Sequence, residues 1–232
     1  MSLNSIPTLA EEEKIWRQGL VLVGVDEAGR GPLAGPVIAA ALLIMPPLNS
    51  KIKMQNAKLR NSATQDDFES LLKLGVADSK KVSPKKREKI YEILTNDERV
   101  SWAVGEASER EIDELNILQA SLLAMKRAVD LLFEKNKKLA KEEFYVFVDG
   151  REVIPNLAAN QKSVIGGDAK VFSIAAASII AKVTRDRLML KYAEKYPQYQ
   201  FEKHKGYGTK LHYEMIKKHG LSLIHRKSFN CA

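Results

Sequence analysis

The stretch Leu20-Val21-Leu22-Val23-Gly24-Val25-Asp26-Glu27-Ala28-Gly29-Arg30-Gly31-Pro32 decides how this 232-residue chain is read. Its first six residues are mostly aliphatic and rich in valine, which predicts a buried strand over 20–25. The run then turns acidic at Asp26-Glu27 and is broken by Gly29, Gly31 and Pro32, residues that impose a turn. Aliphatic residues resume at Val37 and continue to Met45, so a second strand is expected, paired with the first as a hairpin.

Further along, Ser83-Pro84 with Glu88 has the form of a helix start, serine as cap and proline in the first turn, and predicts a helix to about Leu94. Val100–Val104 predicts a strand. Ile117, Leu118, Leu122, Met125, Val129, Leu132 and Phe133 recur at helical spacing, predicting a long amphipathic helix to about Lys137. Phe144–Val148 is an apolar strand ending in Asp149-Gly150, and Val164-Ile165 a short one before Gly166-Gly167-Asp168. Helical pattern returns from Val171 to about Tyr196, dense in Ala and Ser, and again from Thr209 to Lys218. Residues 46–77 are less determined, with one short helix expected near Gln65–Leu74. Strands joined by helices make this an α/β layout with a mixed sheet.

Two of these strands end in carboxylates, Asp26-Glu27 and Asp149, and Asp168 stands in a glycine-flanked loop. In α/β sheets, ligand sites gather beyond the carboxyl ends of strands, so neighbouring strands would bring these acids together. Crowded carboxylates repel one another unless a cation compensates. Oxygen ligands with no Cys or His cluster point to Mg²⁺ or Mn²⁺ rather than zinc. Phosphodiester hydrolysis on two such cations is the chemistry that this donor set suits. His204, His212, His219 and His225 show no metal-ligand spacing and stay outside the predicted site.

Composition narrows the partners. The net charge is +8, and residues 182–227 alone, with twelve Lys/Arg against four Asp/Glu, hold a surplus equal to the whole. A basic block of this kind favours a polyanion, with nucleic acid the commonest. No apolar run approaches the roughly 18 residues that a membrane span needs. The N-terminus lacks the basic-then-apolar order of a secretory signal. A lone cysteine, Cys231, excludes an internal disulfide framework and agrees with a reducing, cytoplasmic setting.

The segment Gly24-Val25-Asp26-Glu27-Ala28-Gly29-Arg30-Gly31-Pro32 resembles the N-terminal signature of the type II ribonuclease H family. Further matches follow in the family's order: Asp78-Ser79-Lys80-Lys81 with Ser83, then Glu111 to Ile117, Val148-Asp149-Gly150, and Gly167-Asp168 leading into Ile174 to Asp186. His204-Lys205-Gly206-Tyr207-Gly208-Thr209, His219-Gly220 and Arg226-Lys227-Ser228-Phe229 complete the set. Together they span about residues 20 to 229, and the ordered series is specific where any one motif is not.

The resemblance implies an RNase H-like fold, a central mixed five-stranded sheet flanked by helices, plus a basic C-terminal helical region. It divides the chain into an N-terminal extension (1–19), a catalytic domain (20–190) and a substrate-binding region (191–232). It implies a monomer acting on RNA–DNA hybrids and on DNA duplexes containing ribonucleotides, with two divalent cations, Mn²⁺ or Mg²⁺. Asp26, Glu27 and Asp149 match the metal-binding acids, and Asp168 the fourth. Gly29, Arg30 and Gly31 match the loop whose backbone grips a ribonucleotide's 2′-hydroxyl, the group that separates RNA from DNA. Tyr207 matches the tyrosine that stacks near the following sugar. Lys80 and Lys81 fall in a segment that approaches phosphates.

Departures are an insertion of about twenty residues within 46–77 and Ala77 where asparagine commonly stands. The sister type III enzymes share much of the motif set but carry an extra N-terminal domain, and the nineteen or so residues before the first strand are too few to fold one. A non-catalytic duplex-binding protein would have no need of all four acids.

Overall fold

The computed structural model describes residues 7–46, 65–76, 79, 82–138 and 143–230. At its centre runs β1 (Val21–Ala28), hydrogen-bonded antiparallel to β2 (Val37–Ile44), which pairs antiparallel with β3 (Val100–Ala107). On its other side β1 pairs parallel with β4 (Phe144–Asp149), and β4 with β5 (Asn160–Val164). The order β3-β2-β1-β4-β5 is the expected mixed five-stranded sheet. β2 is buried along its whole length, as its unbroken aliphatic sequence requires.

Helices cover both faces. The register groups Gly24 and Asp26 on one face and Val25 and Glu27 on the other, because successive side chains alternate. The longest helix, α6 (Phe172–Lys195), lies on the Gly24 face. Residue 24 has to be glycine: a Cβ there would stand 2.3 Å from the Ile174 nitrogen. The small residues Ala175, Ala176, Ala177 and Ala181 on α6 are all fully buried, which lets the helix lie close to the strands. α5 (Ile117–Lys135) covers the opposite face, burying Leu122, Met125, Val129, Leu132 and Phe133.

Shorter helices lock these layers. α1 (Ala10–Trp16) buries Ile15 and Trp16. It also sends the fully buried Glu12 to the start of α6, where Oε1 accepts the Ser173 amide at 2.8 Å. α2 (Gln65–Lys73) is the expected short helix, and α3 (Pro84–Asn96) starts where Ser83 caps it, its hydroxyl accepting the Lys86 amide at 3.4 Å. α4 (Glu109–Leu115) begins in a reciprocal capping box between Ser108 and Glu111. Asn116, at φ 71°, then breaks the chain and caps α5 through its side chain. The C-terminal region holds α7 (Phe201–His204) and α8 (Lys210–His219), the latter capped by Thr209.

Several boundaries differ from expectation. β1 and β3 each run three residues further, so Asp26 and Glu27 lie within the strand, where Ala40 and Ala39 pair with them. The last strand is Asn160–Val164 rather than 164–165, a polar edge strand without a hydrophobic run; Ile165 beyond it is exposed. α1, α4 and the short α7 add three helices to those expected, and residues 47–64 lie outside the described residues.

Candidate active site

The carboxylates meet where the parallel strands end. Val25 lies opposite Val148 in the β1–β4 register, so Asp26 and Asp149 follow side by side and face the same side of the sheet. Asp149 is held by the loop after β5: its Oδ1 accepts the Gly167 amide at 2.7 Å. The same turn, Gly167–Ala169, carries Asp168. Asp26 accepts its neighbour Glu27's amide at 2.7 Å and is 7% exposed.

The charges of the other three acids bear on Asp26. Burial holds the Asp26 carboxyl well above the usual carboxylate range, and the negative charges of Glu27, Asp149 and Asp168 push it the same way. A carboxyl in that position either keeps its proton or takes a cation. Among the described residues, no three acidic, His or Cys side chains are drawn together as a closed metal cage. The donor set nevertheless fits a hard divalent cation in kind: only carboxylate oxygens, mutually repelling, near the ends of β1 and β4.

Beside the acids, Gly29, Arg30 and Gly31 follow directly from β1. Gly29 is buried, whereas Arg30 and Gly31 are exposed. Arg30 lies 3.5 Å from the Glu27 carboxylate. A Cβ at Gly31 would meet nothing within 4 Å, so no neighbour among the described residues demands glycine there. Tyr207 follows α7 and is 38% exposed, with Lys182 Nζ 5.4 Å and the Arg185 guanidinium 5.8 Å from its ring centroid. The amide of Leu33 donates to the Gly206 carbonyl at 2.8 Å, tying the glycine loop to the tyrosine loop. Lys80 and Lys81 lie outside the described residues. Arg87 donates to the Ser79 and Val82 carbonyls at 2.8 Å each.

Two features escaped sequence reading. The basic surplus of 182–227 is not all surface: Arg185 and Arg226 are fully buried, Lys182 pairs with Asp186 at 2.7 Å, and Arg187 pairs with Glu88. Fewer cations therefore face a phosphate backbone than the count of twelve suggests. Arg185 could have been suspected, because it shares a four-residue spacing with the buried Ala177, Ala181 and Met189; Arg226 carried no such signal.

The histidines form the second feature. His212 Nδ1 is 3.0 Å from the Tyr207 carbonyl, and its Nε2 is 3.0 Å from His225 Nε2. His225 Nδ1 accepts the Ser222 amide at 2.9 Å, so its Nε2 carries the proton given to His212. That leaves His212 donating through Nδ1 to the carbonyl of Tyr207. His204 stacks on His212 at 4.3 Å. Burial pushes both His212 and His225 down to about 4, so the cluster is neutral and structural.

A family model described as ribonuclease HII matches residues 23–232. The chain belongs to the ribonuclease HII family. It is 49% identical over 210 residues to the ribonuclease HII of Fusobacterium nucleatum, covering 90% of this chain and 85% of that one. The crystal structure of ribonuclease H2 from Pyrococcus horikoshii OT3 superposes with TM-score 0.60 at 27% identity, covering 92% of this chain and 95% of that one. A Bst ribonuclease HIII structure in complex with Mn²⁺ shares the fold, with TM-score 0.66 at 17% identity over 94% of this chain and 70% of that one. Members of the ribonuclease HII family are metal-dependent endoribonucleases acting on RNA–DNA hybrids, and so is this chain. No helix among the described residues is long and apolar enough to cross a membrane.

Proposed function

We propose that this chain hydrolyses the RNA strand of RNA–DNA hybrids and also cuts 5′ of single ribonucleotides embedded in duplex DNA. It does so by two-metal-ion catalysis, leaving 5′-phosphate and 3′-hydroxyl ends. The observation that carries the reading is the meeting of strand-end carboxylates from β1 and β4 beside an open glycine loop.

Asp26, Glu27, Asp149 and Asp168 are the residues that would hold two divalent cations, Mn²⁺ or Mg²⁺. Bound there, such cations supply an activated water and charge stabilisation at the departing oxygen. The Mn²⁺ held by the ribonuclease HIII relative supports the choice of ion class. The carboxylates' own part is positional. Asp149 is oriented by the Gly167 amide and Asp26 by the Glu27 amide, so both are preset before substrate arrives.

The main chain of Gly29, Arg30 and Gly31 takes the ribonucleotide's 2′-hydroxyl, and the empty space at the missing Gly31 Cβ is where the sugar approaches. Arg30 is half exposed and shares Glu27's charge, so it is placed to hold a phosphate beside the acids. The exposed ring of Tyr207 stacks on the sugar that follows and marks the RNA-to-DNA junction. Lys80, Lys81 and the exposed lysines of the C-terminal region, 191–232, hold phosphates further out with salt-sensitive affinity. The enzyme works as a cytoplasmic monomer.

The test is a gel. A DNA duplex containing one ribonucleotide is incubated with the protein, with and without Mg²⁺ or Mn²⁺, beside Asp26→Asn. A metal-dependent cut 5′ of the ribonucleotide, absent in the variant, is the expected result. A cut indifferent to both metal and variant overturns the mechanism, and no cut under any condition favours mere duplex binding.

A further inference from the structure

The glycine loop that meets the ribose has no regular structure of its own, yet its carbonyls are held with unusual completeness. Arg226 donates through Nη2 to the Gly29 carbonyl at 2.6 Å, through Nη1 to Arg30 at 3.0 Å, and through Nε and Nη2 to Gly35 at 2.9 and 2.7 Å. Arg185, one layer deeper on α6, donates through Nε to Pro36 at 3.1 Å, through Nη2 to Ala34 at 3.0 Å, and through Nη1 to Lys205 at 3.0 Å. Both guanidiniums are fully buried, and burial holds the proton affinity of each below its ordinary value, Arg226's at about 9.

Taking two like charges out of water beside one another is expensive, and packing alone does not ask for it. An aliphatic pair of similar volume could fill the space. What only a planar fork of donors can do is hold several carbonyls at fixed angles at once. Five of the six carbonyls gripped belong to 29–36, and the sixth, Lys205, stands two residues before Tyr207. The fit is close: Gly29 sits at φ +107°, and a Cβ there would lie 2.3 Å from Arg185 Nε. The same Arg185 guanidinium lies 5.8 Å from the Tyr207 ring centroid.

We propose that Arg185 and Arg226 are positioning residues that act as a ruler, fixing the 29–31 main chain at a set distance and angle from Tyr207 and so setting where the enzyme cuts at an RNA-to-DNA junction. The inference rests on the reading above, in which the loop takes the 2′-hydroxyl and Tyr207 the following sugar. With the ruler intact, only a nucleotide whose ribose reaches the loop while the next sugar meets Tyr207 is aligned with the acids. With it loosened, the loop and the ring vary independently, and interior ribonucleotides compete.

The experiment uses the full chain and a duplex in which one DNA strand carries four consecutive ribonucleotides. Arg226→Lys and Arg185→Lys keep the charge and remove the fork; each is first checked for a cooperative melt. Cuts by the parent are expected to concentrate 5′ of the last ribonucleotide. In either lysine variant, kcat at the junction should fall about ten- to a hundred-fold, the loss expected of a misplacement of about an ångström, with KM within about twofold. Cuts should also spread to the interior ribonucleotides. A merely structural role lowers the amount of active enzyme without moving the cut. Should both folded variants keep the parent's cut distribution, or lose activity through KM alone, the ruler is wrong. If one variant fails to melt cooperatively, the other decides. A parent that shows no junction preference refutes the Tyr207 reading itself, a failure visible before any arginine is changed.

Discussion

Acidification to pH 5 should strip stability from the C-terminal region through its buried histidines. His212 and His225 are 0% and 2% exposed and hold their protons only below about 4, against an ordinary 6.5. The cause is burial first, and the neighbouring imidazoles add to it. A folded-state value below the unfolded one means that the unfolded chain binds more protons between them. The stability is therefore fully present above about 6.5 and is lost as pH falls toward 4. Between pH 7 and pH 5, each imidazole then withdraws about 2 kcal/mol. Glu12 and Asp26 are raised and shift the opposite way, so the parent's total slope decides nothing. The informative quantity is the difference between parent and His225→Gln, which keeps a donor for His212 but cannot titrate. In thermal melts at pH 7 and pH 5, the parent should lose roughly 4–8 °C more than the variant, the equivalent of about 2 kcal/mol for a chain this long. Equal losses would refute the assignment of neutral, buried imidazoles.

Other expectations follow from the same geometry. Asp26→Asn removes a carboxyl whose ionisation is opposed by burial first and by three neighbouring acids second, so metal-free protein should melt at a higher temperature than the parent at neutral pH while cleavage is abolished; differential melts with chelator check the first and the gel the second. Gly24→Ala drives a Cβ into the α6 backbone at 2.3 Å and should cost about 3 kcal/mol or more in urea denaturation. Burial pushes Glu12 up to about 7, so its charged form is the disfavoured one; Glu12→Gln should melt higher than the parent at pH 8.5, with the advantage shrinking as pH falls and gone only below about 4.5.

Much of the architecture was legible because it follows from period and punctuation. The aliphatic run ending in Asp26-Glu27 announced both the central strand and the acids at its end, and Asp149 repeated the pattern on the neighbouring strand. The strand ends were less legible, because Asp26, Glu27 and Ala28 extend the ladder through backbone hydrogen bonds that side-chain character does not reveal. Only Val164 of β5 is legible from its side chain, because the strand's other members are polar and sit at an edge. α4 was missed although Ser108 and Glu111 spell a capping box, a signal that was there to read. The larger blind spot was charge. A count of basic residues cannot tell a phosphate-facing lysine from an arginine inside the fold, since burial of Arg185 and Arg226 depends on carbonyls supplied from about 150 and 190 residues away.

Two-metal cleavage by this chain requires carboxylates from separate strands and a distant loop to serve common cations, and calorimetric titration with Mn²⁺ tests that directly. The parent protein should bind Mn²⁺, and Asp26→Asn and Asp149→Asn, each verified as folded, should each lose that binding. Undiminished Mn²⁺ affinity in both variants would mean that the two aspartates do not share a cation.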